Sequence, residues 1–144
     1  MTDHQHDFPI PSDYQDPAGR PVDMELLGAF IGAAYDGCTT CQDAEMTRLV
    51  TDPATTARLV ELACVAIQAS LGGLPRNMTD RKAPGMTSQS FRALARAGLD
   101  GRNDAMFQAC AAMGVPRRRE AANDAADLLV GQIAMPLGSA ETDR

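Results

Sequence analysis

Residues 52–73 read DPATTARLVELACVAIQASLGG, and this stretch decides the fold class. Asp52 offers the first turn a side chain that accepts hydrogen bonds, and the fixed φ of Pro53 suits the first helical position. Val60, Cys64, Ile67 and Leu71 then fall on one line at helical spacing, flanked by Leu59, Ala63 and Ala66. Gly72 and Gly73 supply the stop. Start signal, apolar line and stop agree on one helix.

On its N-terminal side the sequence predicts two more helices. The first runs from about Pro21 to Tyr35, with Asp23 and Glu25 at the positive helix end and Leu27, Phe30, Ile31, Ala34 and Tyr35 on the apolar face. Gly28 and Gly32 allow a neighbouring helix to come close, and Gly37 is the expected stop. The second is short, Cys41 to about Val50, capped by Thr39 or Thr40, with Met46, Leu49 and Val50 inward.

On the C-terminal side, GGLPRNMTDRKAPGMT (72–87) is the longest internal loop, a length that in a compact domain often signals function or motion. FRALARAGL (91–99) and FQACAAMGV (107–115) then share the pattern F-x-A-x-A-x-x-G-[LV]. We read them as two short helices. Thr87 or Ser88 caps one and Asn103 or Asp104 the other. Each ends on a left-handed glycine, Gly98 or Gly114, with Leu99 or Val115 packing back. A sixth helix spans Arg117 to Ala134, with Ala122, Ala125, Leu129 and Ile133 inward, and ends at Pro136. No segment alternates like a strand. The expected fold is all-α: a compact bundle of five or six short-to-medium helices over 21–136. A Pro- and Asp-rich extended or disordered tail (1–20) precedes it and a shorter tail (137–144) follows.

The composition suits that fold. The 144 residues are 44% hydrophobic and 22% charged, one domain's worth. There are 24 alanines but only 4% aromatics and no Trp, which favours closely packed helices over sheet. No apolar run approaches a membrane span and no leader pattern opens the chain, so the expectation is a cytoplasmic protein without a membrane partner. The net charge of -6 is segregated: residues 76–119 carry nine basic residues against three acids, and both flanks are acidic. Two readings stand. The charges pair internally or between protomers; or Arg76, Arg81, Lys82, Arg92, Arg96, Arg117, Arg118 and Arg119 form an anion or nucleic-acid patch. Overall acidity argues against general nucleic-acid binding. A helix-turn-helix centred on Gly98 would need a small residue at Leu94 and an apolar one at Asp104, and has neither.

The compact motif of the chain is Gly37-Cys38-Thr39-Thr40-Cys41. Two thiols at this spacing can close a disulfide, and a helix start favours the thiolate of the first. The stretch, over some 30 residues, resembles the alkylhydroperoxidase-like (carboxymuconolactone decarboxylase-like) family. In that family a histidine follows closely after the second cysteine. Here Ala44 stands third after Cys41, and the only histidines are His4 and His6, so the family's activity does not transfer. Cys38, Cys41, Cys64 and Cys110 also permit a four-thiolate zinc or iron–sulfur site, although only one close pair exists and Cys64 and Cys110 lie on apolar helix lines. Carboxylates such as Glu25, Asp36, Glu45 and Glu61 read as solvated faces. The methionines (Met24, Met46, Met106, Met113, Met135) read as adaptable core.

Three functions follow as expectations. The first is a non-catalytic helical interaction or regulatory protein acting through a homo-oligomeric or partner-protein interface, with no cofactor. The second is a thiol–disulfide redox or thiol-sensing protein using Cys38 and Cys41, which as an enzyme is a thiol-dependent oxidoreductase. The third is a structural metal protein with cysteine thiolate ligands.

Overall fold

The computed structural model describes the backbone of residues 21–80, 82, 83, 85, 87–99 and 105–142, with side chains to residue 132. Six helices follow one another: α1 (Met24–Asp36), α2 (Thr39–Leu49), α3 (Pro53–Leu71), α4 (Gln89–Leu99), α5 (Ala105–Ala112) and α6 (Val115–Thr142), with a 3-10 turn at Arg76–Met78. The described residues contain no strand. The fold is the expected all-α bundle. The 1–20 tail, His4 and His6, Arg81, and the Asn103 and Asp104 caps lie outside the described residues.

α3 is the central element and packs on α4, α5 and above all α6. It begins as its sequence predicts: the Asp52 carboxylate accepts from the N–H groups of Ala54 (3.1 Å) and Thr55 (3.4 Å). It ends at Gly72, whose φ of 79° is left-handed. Across from it, Ala121, Ala122, Ala125 and Ala126 of α6 are fully buried. Paired alanines make a face wide enough for close helix approach, which is where the alanine-rich composition is used. Leu27, Phe30 and Ile31 from α1, Leu49 from α2 and Phe91 and Leu94 from α4 complete the core. α3 is also the one described helix long and apolar enough to cross a membrane, with mean hydropathy 1.2; more than half of that window is buried against its neighbours.

Several details differ from the sequence reading. Tyr35 and Leu71, read on the apolar lines of their helices, are exposed at the C-terminal ends of α1 and α3. α2 starts two residues early: Cys38, not Thr39 or Thr40, is the cap. Gly98 lies inside α4 and has no positive φ. Its missing Cβ instead makes room for the Met106 side chain of α5, which a Cβ would meet at 2.7 Å. Gly114 likewise has no positive φ. It precedes α6, accepting the Arg118 N–H at 3.1 Å, and Leu99 and Val115 are about half exposed rather than packed back. Finally, α6 continues past Pro136 to Thr142. A proline removes one N–H and crowds the preceding turn, which bends a helix more often than it must stop one.

Candidate functional site: the dithiol turn

α1 ends in a Schellman turn. Gly37 is left-handed (φ 74°), its N–H reaches the Ala34 carbonyl (3.2 Å), and the Cys38 N–H reaches the Ala33 carbonyl (2.9 Å). Cys38 is therefore placed twice. It closes α1 and, with extended backbone, serves as the N-cap of α2, where its carbonyl accepts the Gln42 N–H (2.9 Å). No side-chain hydrogen bond caps this helix start. The start of α2 thus carries a cysteine and lacks the side-chain oxygen of an ordinary cap.

Cys41 lies in the first turn of α2, and a hydrogen bond links its thiol to that of Cys38. Both cysteines are thiols and partly exposed. Partial burial pushes the Cys41 thiol up to about 11, helped by the hydrogen bond to Cys38 and by the negative field of Cys38 and Glu45. Glu45, read from sequence as part of a solvated face, is half-buried one turn after Cys41. The signal that could have found it is its i+4 spacing from Cys41. Thr39 and Thr40, between the cysteines, open onto a cleft of about 900 Å3 that reaches Pro116, Arg119, Glu120 and Asn123 of α6. An Arg119–Asp43 ion pair bridges α6 and α2.

The other two cysteines have a different character. Cys64 on α3 and Cys110 on α5 are buried in the core. Burial pushes Cys64 up to about 12, with the Glu61 charge adding to it, and pushes Cys110 up to about 11 against the opposing charge of Arg118. Among the described residues no three His, Cys, Asp or Glu side chains come together in a metal-binding group, so the four cysteines are not gathered into one tetrahedral set.

The basic residues of 76–119 go to separate places. Arg118 turns inward and donates to the carbonyls of Val50 (2.6 Å), Cys110 (3.0 Å) and Met113 (3.0 Å), tying the ends of α2 and α5 to α6. Arg117 donates to Ser90 Oγ (3.2 Å), which itself donates to Glu120 (2.8 Å). Arg76, Lys82, Arg92 and Arg96 instead line one cleft between the 72–87 loop and α4. No family model matches the chain, and no curated protein or solved structure matches it either, so the functional reading rests on the geometry of these residues.

Proposed function

We propose that the protein is a thiol–disulfide exchange protein whose reacting pair is Cys38 and Cys41. The observation that carries this reading is the pair of hydrogen-bonded, partly exposed thiols at an N-cap left without a side-chain oxygen. Cys38, at the positive helix end, is the attacking sulfur. Its thiolate attacks one sulfur of a substrate disulfide, forming a mixed disulfide and releasing the first substrate thiolate. Cys41 then gives its proton to the Glu45 carboxylate or to water. Its sulfur attacks Cys38, closing the Cys38–Cys41 disulfide and releasing the second thiolate. Two electrons pass to the substrate, and its thiolates take up protons. The reverse sequence oxidises a substrate dithiol. The cleft beside Thr39 and Thr40 leaves room for the chain that carries the substrate sulfur.

The experiment is equilibration of the reduced protein with glutathione and its disulfide, followed by mass analysis. The expected products are an intramolecular disulfide in the wild type and a trapped Cys38–glutathione adduct in Cys41→Ser. If no Cys38–Cys41 disulfide forms at any glutathione ratio, the reading fails. A second reading is the helical interface protein, supported by the exposed apolar side chains of Tyr35, Val65 and Leu71. It expects a dimer or larger species by light scattering, and a strict monomer with no co-purifying partner removes it.

A further inference from the structure

The cleft between the 72–87 loop and α4 is built differently from the rest of the basic surface. Gln89, Arg92, Ala93 and Arg96 follow one another at helical spacing along one face of α4, and Arg76 and Lys82 face them from the loop. Among the described residues the cleft, about 860 Å3, brings four cations against a single carboxylate. That carboxylate, Asp80, is already engaged: it accepts from the Arg76 guanidinium (2.7 Å) and from the Lys82 N–H (2.9 Å). These contacts, with the Arg92 charge, hold it below its ordinary range.

Arg92 is the decisive residue. It is only 2% exposed, the largest fully buried side chain of the protein. Its guanidinium donates to the carbonyls of Asp80 (2.8 Å) and Ala83 (2.6 Å) and to Thr87 Oγ1 (2.9 Å). All three are neutral acceptors, and among the described residues it forms no ion pair. Neutral dipoles orient a buried cation without cancelling its charge, so the cleft keeps a fixed positive wall. The glycine at Gly85, with φ 152°, lets the loop close here: a Cβ would strike Asn77 at 2.5 Å. Elsewhere the cations of the basic block are spoken for, Arg117 and Arg118 by Ser90 and backbone carbonyls and Arg119 by Asp43. Of the described basic residues in 76–119, four gather in this one cleft.

We propose that this cleft binds a small polyphosphate anion, two or more linked phosphoryl groups, held by Arg76, Lys82 and Arg96 over the fixed buried charge of Arg92. Guanidinium groups match phosphoryl oxygens in pairs of parallel hydrogen bonds, and the volume exceeds what a single phosphate needs. Among the described residues the lining contains no aromatic side chain to stack a base, and recognition is of the phosphate chain rather than of a nucleoside.

The test is calorimetric titration of the full chain with tripolyphosphate at about 50 mM and about 500 mM NaCl. We expect one site, weakened about tenfold or more by the added salt. Arg96→Gln and Lys82→Gln should each lower affinity by about fivefold or more. Arg119→Gln and Cys38→Ser, outside the cleft, should leave it unchanged. Asp80→Asn should raise affinity, because it removes the competing carboxylate, whereas a merely structural role for Asp80 gives a loss. ATP and GTP should bind no more tightly than tripolyphosphate. Absence of binding at low salt, weaker binding in Asp80→Asn, equal losses in Arg119→Gln and Arg96→Gln, or tighter binding of a nucleotide or a single-stranded oligonucleotide would each overturn the proposal.

Discussion

α2 and α3 begin with the same backbone and opposite chemistry. Both caps are extended, Cys38 at φ -86°, ψ 90° and Asp52 at φ -116°, ψ 99°. Asp52 serves its helix fully. Its carboxylate accepts two first-turn N–H groups and the Thr55 hydroxyl (2.7 Å), and Thr55 Oγ1 in turn accepts the Asp23 N–H (2.9 Å), joining the start of α1 to the start of α3. Cys38 makes no such bond. The difference shows what an N-cap can be used for: at α3 it holds the bundle together, and at α2 the positive helix end stays available to a sulfur. A local rule of stability is broken at the place where chemistry is proposed, as is common at functional sites.

The largest expected effect breaks the comparison in two directions at once. Cys38→Ser should abolish the reversible disulfide, and should also stabilise the protein by about 0.5–1 kcal/mol, since serine is a good cap and cysteine is not. Urea unfolding alongside the glutathione equilibration reads both. A Cys38→Ser variant that is destabilised would mean that the sulfur itself holds the helix start, and the contrast with Asp52 would disappear.

Arg118→Met should cost about 2–3 kcal/mol, because the carbonyls of Val50, Cys110 and Met113 would lose a charged donor. α2, weakly capped at its start, is held by this side chain at its end. Hydrogen exchange should therefore open α2 in the variant before α3. Simultaneous opening would show that α2 has no need of the Arg118 clamp. Asp52→Ala should cost about 1–2 kcal/mol through lost capping, without affecting disulfide formation. An equal loss of exchange activity would show that the two helix starts are not independent.

The contrast also explains what was legible in the sequence. α3 could be read from cap to stop because each signal is local: Asp52, Pro53 and Gly72 act within one turn of themselves. α2 could not, because cysteine is no ordinary capping residue, and its place is set by the Schellman turn that ends α1. The reading of Gly98 as a stop failed for a long-range reason, since the space it leaves is filled by Met106 from another helix. The CxxC was visible as spacing, whereas the half-buried position of Glu45 depends on packing. The basic block was visible as composition, but its division between inward clamps such as Arg118 and the cleft of Arg92 and Arg96 depends on which carbonyls the folded loop presents.

The smallest effect separates the cysteines of the two helices. Cys64, in the middle of α3, and Cys110, on α5, are buried as neutral thiols and hold their protons to about 12 and about 11, against an ordinary value of 9.0. Above pH 9 the unfolded chain therefore loses protons that the folded chain retains. A folded-state pKa raised in this way contributes stability that is complete below pH 9 and is lost as pH rises through about 11 to 12. The melting temperature should be flat from neutral pH to about pH 9 and then fall, and Cys64→Ala should flatten part of that fall. At pH 8 an alkylating agent should find the partly exposed Cys38 first and reach Cys64 only on unfolding, since the thiolate is the reacting form. Labelling of Cys64 as fast as Cys38 in the folded protein would erase the distinction between a helix cap open to chemistry and a helix core closed to it.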